Sequence, residues 1–177
     1  MTGRDYNSIN DGDGYRPNVG IILFNQYCQV LWARRRSHDG WQFPQGGVRS
    51  DETPEQALFR ELYEEIGLTR DDVRIIARTQ DWLRYDLPPR FRRKQQAKSD
   101  DRFLGQKQIW FLLRLLCDDT AVCLDTSPKP EFDKWQWIDY WGAVEQIVGF
   151  KRQVYELALT ELECYLPTLS FSSRRSR

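Results

Sequence analysis

Histidine is almost missing from this chain: His38 is the only one. The four cysteines (Cys28, Cys117, Cys123 and Cys164) form no C-x-x-C pair and none lies beside a histidine at zinc spacing. A zinc centre and a Ser/His triad are therefore unsupported, and the cysteines read as reduced, mostly buried thiols of a cytoplasmic protein. Long apolar runs are missing too. No stretch of about 18 apolar residues is available to span a membrane, and the polar segment from Met1 to Pro17 lacks the apolar core of a signal peptide. Net charge is also absent, since 26 basic residues balance 26 acidic ones. A neutral chain is ill suited to gripping a long nucleic-acid backbone, which takes many phosphate contacts, but reading one end of an RNA needs no such surplus.

What is present fits one domain of 177 residues. Aromatic residues make up 14% of it, with seven tryptophans, and most of them belong in a core. Val19–Asn25 and Gln29–Arg35 are apolar, β-branched or aromatic runs around a short turn and predict a hairpin. Trp41–Val48 is extended, ended by Pro44 and Gly46-Gly47. Thr53–Ile66 is the clearest helix: Thr53 is a suitable N-cap, Gln56 completes a capping box, Pro54 sits at the first helical position, and Gly67 follows the last turn. Val73–Gln80, Gln108–Leu116 and Phe132–Ile138 read as strands. Pro88–Asp101 reads as a basic, mobile loop. Gly142–Val148 and Phe150–Tyr165 read as helices, the second with Val154, Leu157, Ala158, Glu161, Leu162 and Tyr165 at helical spacing. There is no internal repeat. Residues 1–12 are expected to be a flexible N-terminus, 13–166 the folded domain and 167–177 a disordered basic tail. Mixed strands and helices of this kind make an α/β layered domain.

The chemistry concentrates on the predicted helix. Glu61, Glu64 and Glu65 stand at i, i+3 and i+4, on one face, while Leu58, Phe59, Leu62 and Ile66 occupy the neighbouring one. Like charges at this spacing repel by a few tenths of a kcal/mol per pair, and Arg60, four residues before Glu64, is expected to neutralise only one of them. A set of carboxylates with no sulfur or imidazole suits a hard cation such as Mg²⁺ or Mn²⁺. Magnesium retains water and binds substrate phosphates, so the cluster points to phosphate-ester or anhydride chemistry. Before the helix, Gly46-Gly47 allow the backbone a close approach to a metal or phosphate.

From Gly46 to Leu68 the chain matches every fixed position of the Nudix signature, G-x5-E-x7-R-E-U-x-E-E-x-G-U, where U is a bulky aliphatic. Those positions are Gly46, Glu52, Arg60, Glu61, Leu62, Glu64, Glu65, Gly67 and Leu68. The protein therefore resembles the Nudix family. The resemblance implies a Nudix α/β/α sandwich with a mixed β-sheet, and hydrolysis of a nucleoside diphosphate linked to another moiety. It implies that Glu61, Glu64 and Glu65 hold divalent ions, with Gly46 contributing its backbone carbonyl, and that Glu52, Arg60 and Gly67 are structural parts of the signature. Glu131, far away in sequence, is implied as a further metal ligand or as the base that activates water.

The resemblance continues outside that signature. Gly14–Gly20, Trp41–Gly47, Trp82–Tyr85, Gly105–Gln108, Pro130–Asp133 and Phe150–Tyr155 are similar to the bacterial RNA pyrophosphohydrolases of the family, which are also classed with the asymmetric diadenosine polyphosphate hydrolases. This implies removal of pyrophosphate from the 5′ end of triphosphorylated RNA, leaving a 5′-monophosphate and promoting mRNA decay. It further implies phosphate or base contacts from Arg16 and Arg35, base stacking on Phe150, and a base-edge or phosphate contact from Lys151. The expected partners are an RNA 5′ end or nucleoside polyphosphates, and no membrane. Two other readings stay open: a dinucleoside polyphosphate hydrolase, and a non-catalytic nucleotide-binding module, which would usually have lost glutamates of the signature. The sequence leaves undecided whether Glu64 or Glu131 is the base, how many metals bind, which first nucleotides are preferred, the oligomeric state, and whether a protein activator exists.

Overall fold

The structure, a computed structural model, describes residues 12–37, 40–96 and 104–167. His38, most of the N-terminal segment, the end of the basic loop and the tail expected to be disordered lie outside the described residues.

Eight strands form one mixed sheet: β1 (Tyr15–Phe24), β2 (Val30–Arg35), β3 (Trp41–Gln42), β4 (Gln45–Gly47), β5 (Val73–Arg78), β6 (Leu83–Asp86), β7 (Gly105–Leu115) and β8 (Phe132–Ile138). The order is β3-β2-β1-β7-β5, with β4 against the first half of β1, β6 against the first half of β7, and β8 along β2. At its centre β1 and β7 run parallel from Tyr15↔Gly105 to Phe24↔Arg114. The predicted hairpin is thus only part of β1's pairing. It meets β2 at Phe24↔Val30, around a turn in which the Asn25 side chain accepts from the backbone N–H of Tyr27 and Gln29.

Side-chain alternation along these strands builds two cores. Val19, Ile21 and Leu23 of β1 and Ile109, Phe111 and Leu113 of β7 face α1 (Pro54–Ile66), where Leu58, Leu62 and Ile66 are fully buried. Ile22, Phe24, Trp110 and Leu112 face the opposite way, onto α3 (Gly142–Gln146) and α4 (Arg152–Leu162). A cage of Trp32, Phe43, Trp110 and Tyr155, with ring centroids 5.0–6.1 Å apart, fills that second core. The layering is α/β/α. The buried stripe of α4 is Val154, Tyr155, Ala158, Leu159 and Leu162, whereas Leu157 and Tyr165 are exposed. The apolar spacing in the sequence therefore had the helix rotated, because Tyr155 fits the sheet better than Leu157 does.

α1 begins and ends where its signals place it. Thr53 accepts from the Gln56 backbone at 3.2 Å, Gln56 returns a bond to the Thr53 backbone N–H at 2.8 Å, and Gly67 closes the helix at φ 73°. Replacing Thr53 by Ala is expected to cost about 1 kcal/mol of unfolding free energy, measurable by urea titration. An unchanged midpoint would mean that tertiary contacts alone hold the helix start.

One strand carries no sequence expectation, and two expectations need correction. Leu83–Asp86 is a strand, because β7 offers it an open edge. The segment expected to be a loop contains α2 (Pro89–Gln96), which starts on a proline and docks Phe91 onto Phe150. None of the four free thiols is fully buried; Cys123 and Cys164 are exposed. Among the described residues no helix is long and apolar enough to cross a membrane.

Candidate active site

The site forms where α1, β4 and the segment entering β8 meet. Arg60 organises it. Its guanidinium makes a two-pronged pair with Glu52 at 2.6 and 2.8 Å, donates to the Gly47 carbonyl at 2.7 Å, and also reaches Glu61 and, at 3.4 Å, Glu64. It touches three carboxylates, where the i,i+4 spacing suggested one. The Arg60 bond holds the Glu52 carboxyl below its ordinary range, helped by the Arg49 backbone N–H. The loop Gly46–Glu52 is thereby stapled to the helix, and the Arg60 charge offsets the like charges along this face.

Glu65 faces inward. Only 6% exposed, it accepts from the Gln45 backbone N–H at 2.9 Å. Burial pushes its carboxyl well above the ordinary range, and the Glu131 and Glu61 carboxylates push it the same way. Glu61 is raised chiefly by burial, with Arg60 opposing. Glu64 and Glu131 are the more open carboxylates, 43% and 44% exposed. Glu131 immediately precedes β8, at the end where the β2–β8 ladder is irregular between Arg34 and Arg35. There its carbonyl accepts from Arg36 N–H at 2.8 Å, and its carboxylate lies 3.6 Å from Arg35 Nε. That Nε is buried and has no hydrogen bond among the described residues.

Gly46 lies directly against Glu61: a Cβ built at Gly46 would fall inside the Glu61 carboxylate. Only glycine brings backbone and carboxylate this close. The donor set is thus carboxylate oxygens with a backbone carbonyl beside them, the chemistry a hard divalent cation prefers. Among the described residues no three acidic side chains converge closely enough to hold an ion by themselves, and Glu61 and Glu64 turn toward Arg60. An ion that keeps several waters and takes further oxygens from a phosphate substrate needs few protein donors, so the residues fit such an ion by their chemistry and by the close approach of Gly46 to Glu61.

The residues singled out for substrate contact lie on several elements. Arg16 is exposed at the start of β1, two residues before Asn18, which pairs with Gly47 of β4. Arg35 lies beside Glu131. Phe150 is half-buried, its ring 6.1 Å from Tyr85 and 5.7 Å from Phe91. The Lys151 side chain points inward, only 7% exposed, donating to Gln42 at 3.1 Å and Gln45 at 3.3 Å. Burial pushes its ammonium down to about 8, as does Arg35, while Glu131 and Glu65 pull it back up. Sequence reasoning passed over Gln42, Gln45 and Tyr155. Their only signal was membership in the quoted Trp41–Gly47 and Phe150–Tyr155 segments.

A NUDIX domain model matches residues 14–158. Among similar sequences, an RNA pyrophosphohydrolase of Halorhodospira halophila is 56% identical over 156 residues, covering 88% of this chain and 84% of that protein. One from Pseudomonas putida F1 is 59% identical over 152 residues, covering 86% and 94%. Two solved structures share the fold at low identity. The E. coli dihydroneopterin triphosphate pyrophosphohydrolase has a TM-score of 0.63 at 22% identity, covering 83% of this chain and 98% of that one. A C. elegans Ap4A hydrolase has a TM-score of 0.60 at 17% identity, covering 84% and 97%. With the complete signature helix, its Arg60-centred staple and a family match over most of its length, the chain belongs to the Nudix family of hydrolases.

Proposed function

We propose that this protein hydrolyses the 5′-triphosphate of RNA, releasing pyrophosphate and leaving a 5′-monophosphate, and so promotes mRNA decay. The observation that carries this reading is the extent of similarity: identity of 56–59% to proteins named RNA pyrophosphohydrolase runs over 86–88% of the chain, far beyond the catalytic helix.

Water's oxygen bonds to a phosphorus of the triphosphate, the P–O bond to the departing pyrophosphate breaks, and the water proton passes to a carboxylate. Glu64 and Glu131, the two more open carboxylates, are the candidates for that base. Glu61, Glu64, Glu65, Glu131 and the Gly46 carbonyl would hold magnesium, with manganese a workable replacement. When bound, the ion supplies charge neutralisation and Lewis acidity at the phosphorus under attack. Arg16 and Arg35 meet the phosphates, and Phe150 offers a ring to an early base.

Triphosphorylated RNA and diadenosine tetraphosphate, each assayed with and without Mg²⁺, test the reading. Faster turnover of the dinucleotide would make this chain a dinucleoside polyphosphate hydrolase instead. Phe150→Ala is expected to slow RNA cleavage about five- to 150-fold, the value of one stacked base, and to leave the hydrolysis of a free nucleoside triphosphate nearly unchanged. The two substrates must be compared at one salt concentration, because phosphate contacts weaken with salt. Equal losses on both would make Phe150 a packing residue of the Tyr85–Phe91 cluster.

A further inference from the structure

Lys151 and Tyr155 are one helical turn apart, and both grip the segment that leads into the metal loop. The Tyr155 hydroxyl accepts from the Phe43 backbone N–H at 3.2 Å. The Lys151 ammonium donates to the side-chain oxygens of Gln42 at 3.1 Å and Gln45 at 3.3 Å, and lies 5.8 Å from the centre of the Tyr85 ring. The segment runs directly into the site. The Gln45 N–H holds the Glu65 carboxylate at 2.9 Å, and Gly46 abuts Glu61. Pairing of Gln45–Gly47 with Asn18–Gly20 fixes the strand's place in the sheet, and the Pro44 carbonyl accepts from Ile21 N–H at 2.9 Å. Neither contact reaches the Gln42 and Gln45 side chains; Lys151 does. A buried ammonium is costly unless its N–H groups are used, and here they are used on two residues of one short segment.

We propose that Lys151 is a positioning residue: through Gln42 and Gln45 it holds the strand that presents Gly46 and Glu65 to the metal, and it serves every substrate alike. This rests on the metal-site reading above, and it places Lys151 apart from Phe150 although the two are neighbours in sequence.

Lys151→Met keeps the length of the side chain and removes its donors and charge. Mn²⁺ titration of the substrate-free enzyme, followed by the electron paramagnetic resonance of free Mn²⁺, is the direct readout. Affinity is expected to fall about three- to tenfold, the worth of one or two hydrogen bonds. kcat should fall by the same factor on triphosphorylated RNA and on a free nucleoside triphosphate. Combining Gln45→Ala with Lys151→Met should cost no more than the worse single change, because both act through one link. Lys151→Gln, which keeps a donor without the charge, should retain most of the affinity. Tighter or unchanged Mn²⁺ binding in Lys151→Met would overturn the proposal, since loss of a repelling charge beside Glu65 and Glu131 predicts tightening. So would a loss confined to RNA. Undiminished Mn²⁺ binding in Glu65→Gln is a separate result, which would remove the metal site on which the proposal rests.

Discussion

Glu65→Gln is expected to abolish nearly all turnover and at the same time to stabilise the metal-free protein. Glu65 is buried, and the Glu131 and Glu61 carboxylates oppose its ionisation further. Loss of an anionic metal ligand removes several kcal/mol of charge stabilisation, so the rate should fall on the order of a thousandfold. The stability effect has the opposite sign. Because the folded-state pKa of Glu65 is raised, the stability its neutral form contributes is fully present below the ordinary carboxylate range. It is lost as pH rises through the raised value. A glutamine can still accept the Gln45 N–H and never ionises. The melting temperature of Glu65→Gln without metal should therefore exceed that of the unaltered protein, by a margin that widens from acid to neutral pH. Mg²⁺ should narrow the margin by stabilising only the unaltered protein appreciably. A variant that melts lower at neutral pH, or that turns over normally at limiting Mg²⁺, would show Glu65 to be a structural acceptor and not a ligand.

Gly46→Ala should separate catalysis from folding in a different way. Gly46 has no positive φ, so alanine there meets no backbone strain. The added methyl instead falls on the Glu61 carboxylate, the far end of a flexible side chain. Glu61 can swing aside at little cost to the fold but leaves its place in the site. Displacing a catalytic group by about 1 Å costs on the order of a hundredfold in rate, so kcat should fall by about that factor with the melting temperature almost unmoved. Gly47→Ala is the control, since nothing lies within 4 Å of its would-be Cβ. Equal losses at Gly46 and Gly47 would mean that the loop needs glycine for mobility and not for the Glu61 contact.

The reading of α1 from sequence succeeded because its information is local. A capping box spans three residues, a C′ glycine needs only its own φ, and the i, i+3, i+4 glutamates share a face in any α-helix. Most of β1 and β7 was legible as strand for the same reason, since apolar, β-branched and aromatic runs are local signals. The failures were non-local. Pro88–Asp101 has a proline suited to a helix start, but its helix docks only where Phe91 meets Phe150, 59 positions away in sequence. The apolar spacing of α4 put Leu157 and Tyr165 on its buried face, and the packing of Tyr155 among Trp32, Phe43 and Trp110 turned the helix from that phase.

The sequence by itself therefore determined the family, the helix that carries its signature and which glutamates share a face, because a fixed spacing on one helix fixes that. Tertiary structure alone decided the surroundings of those groups. It set Glu131 near enough to Glu65 for their charges to interact, let Arg60 serve three carboxylates at once, and turned Lys151 inward onto Gln42 and Gln45. Each of these depends on distances between segments remote in sequence, and those distances are set by how the two cores pack on either side of the sheet.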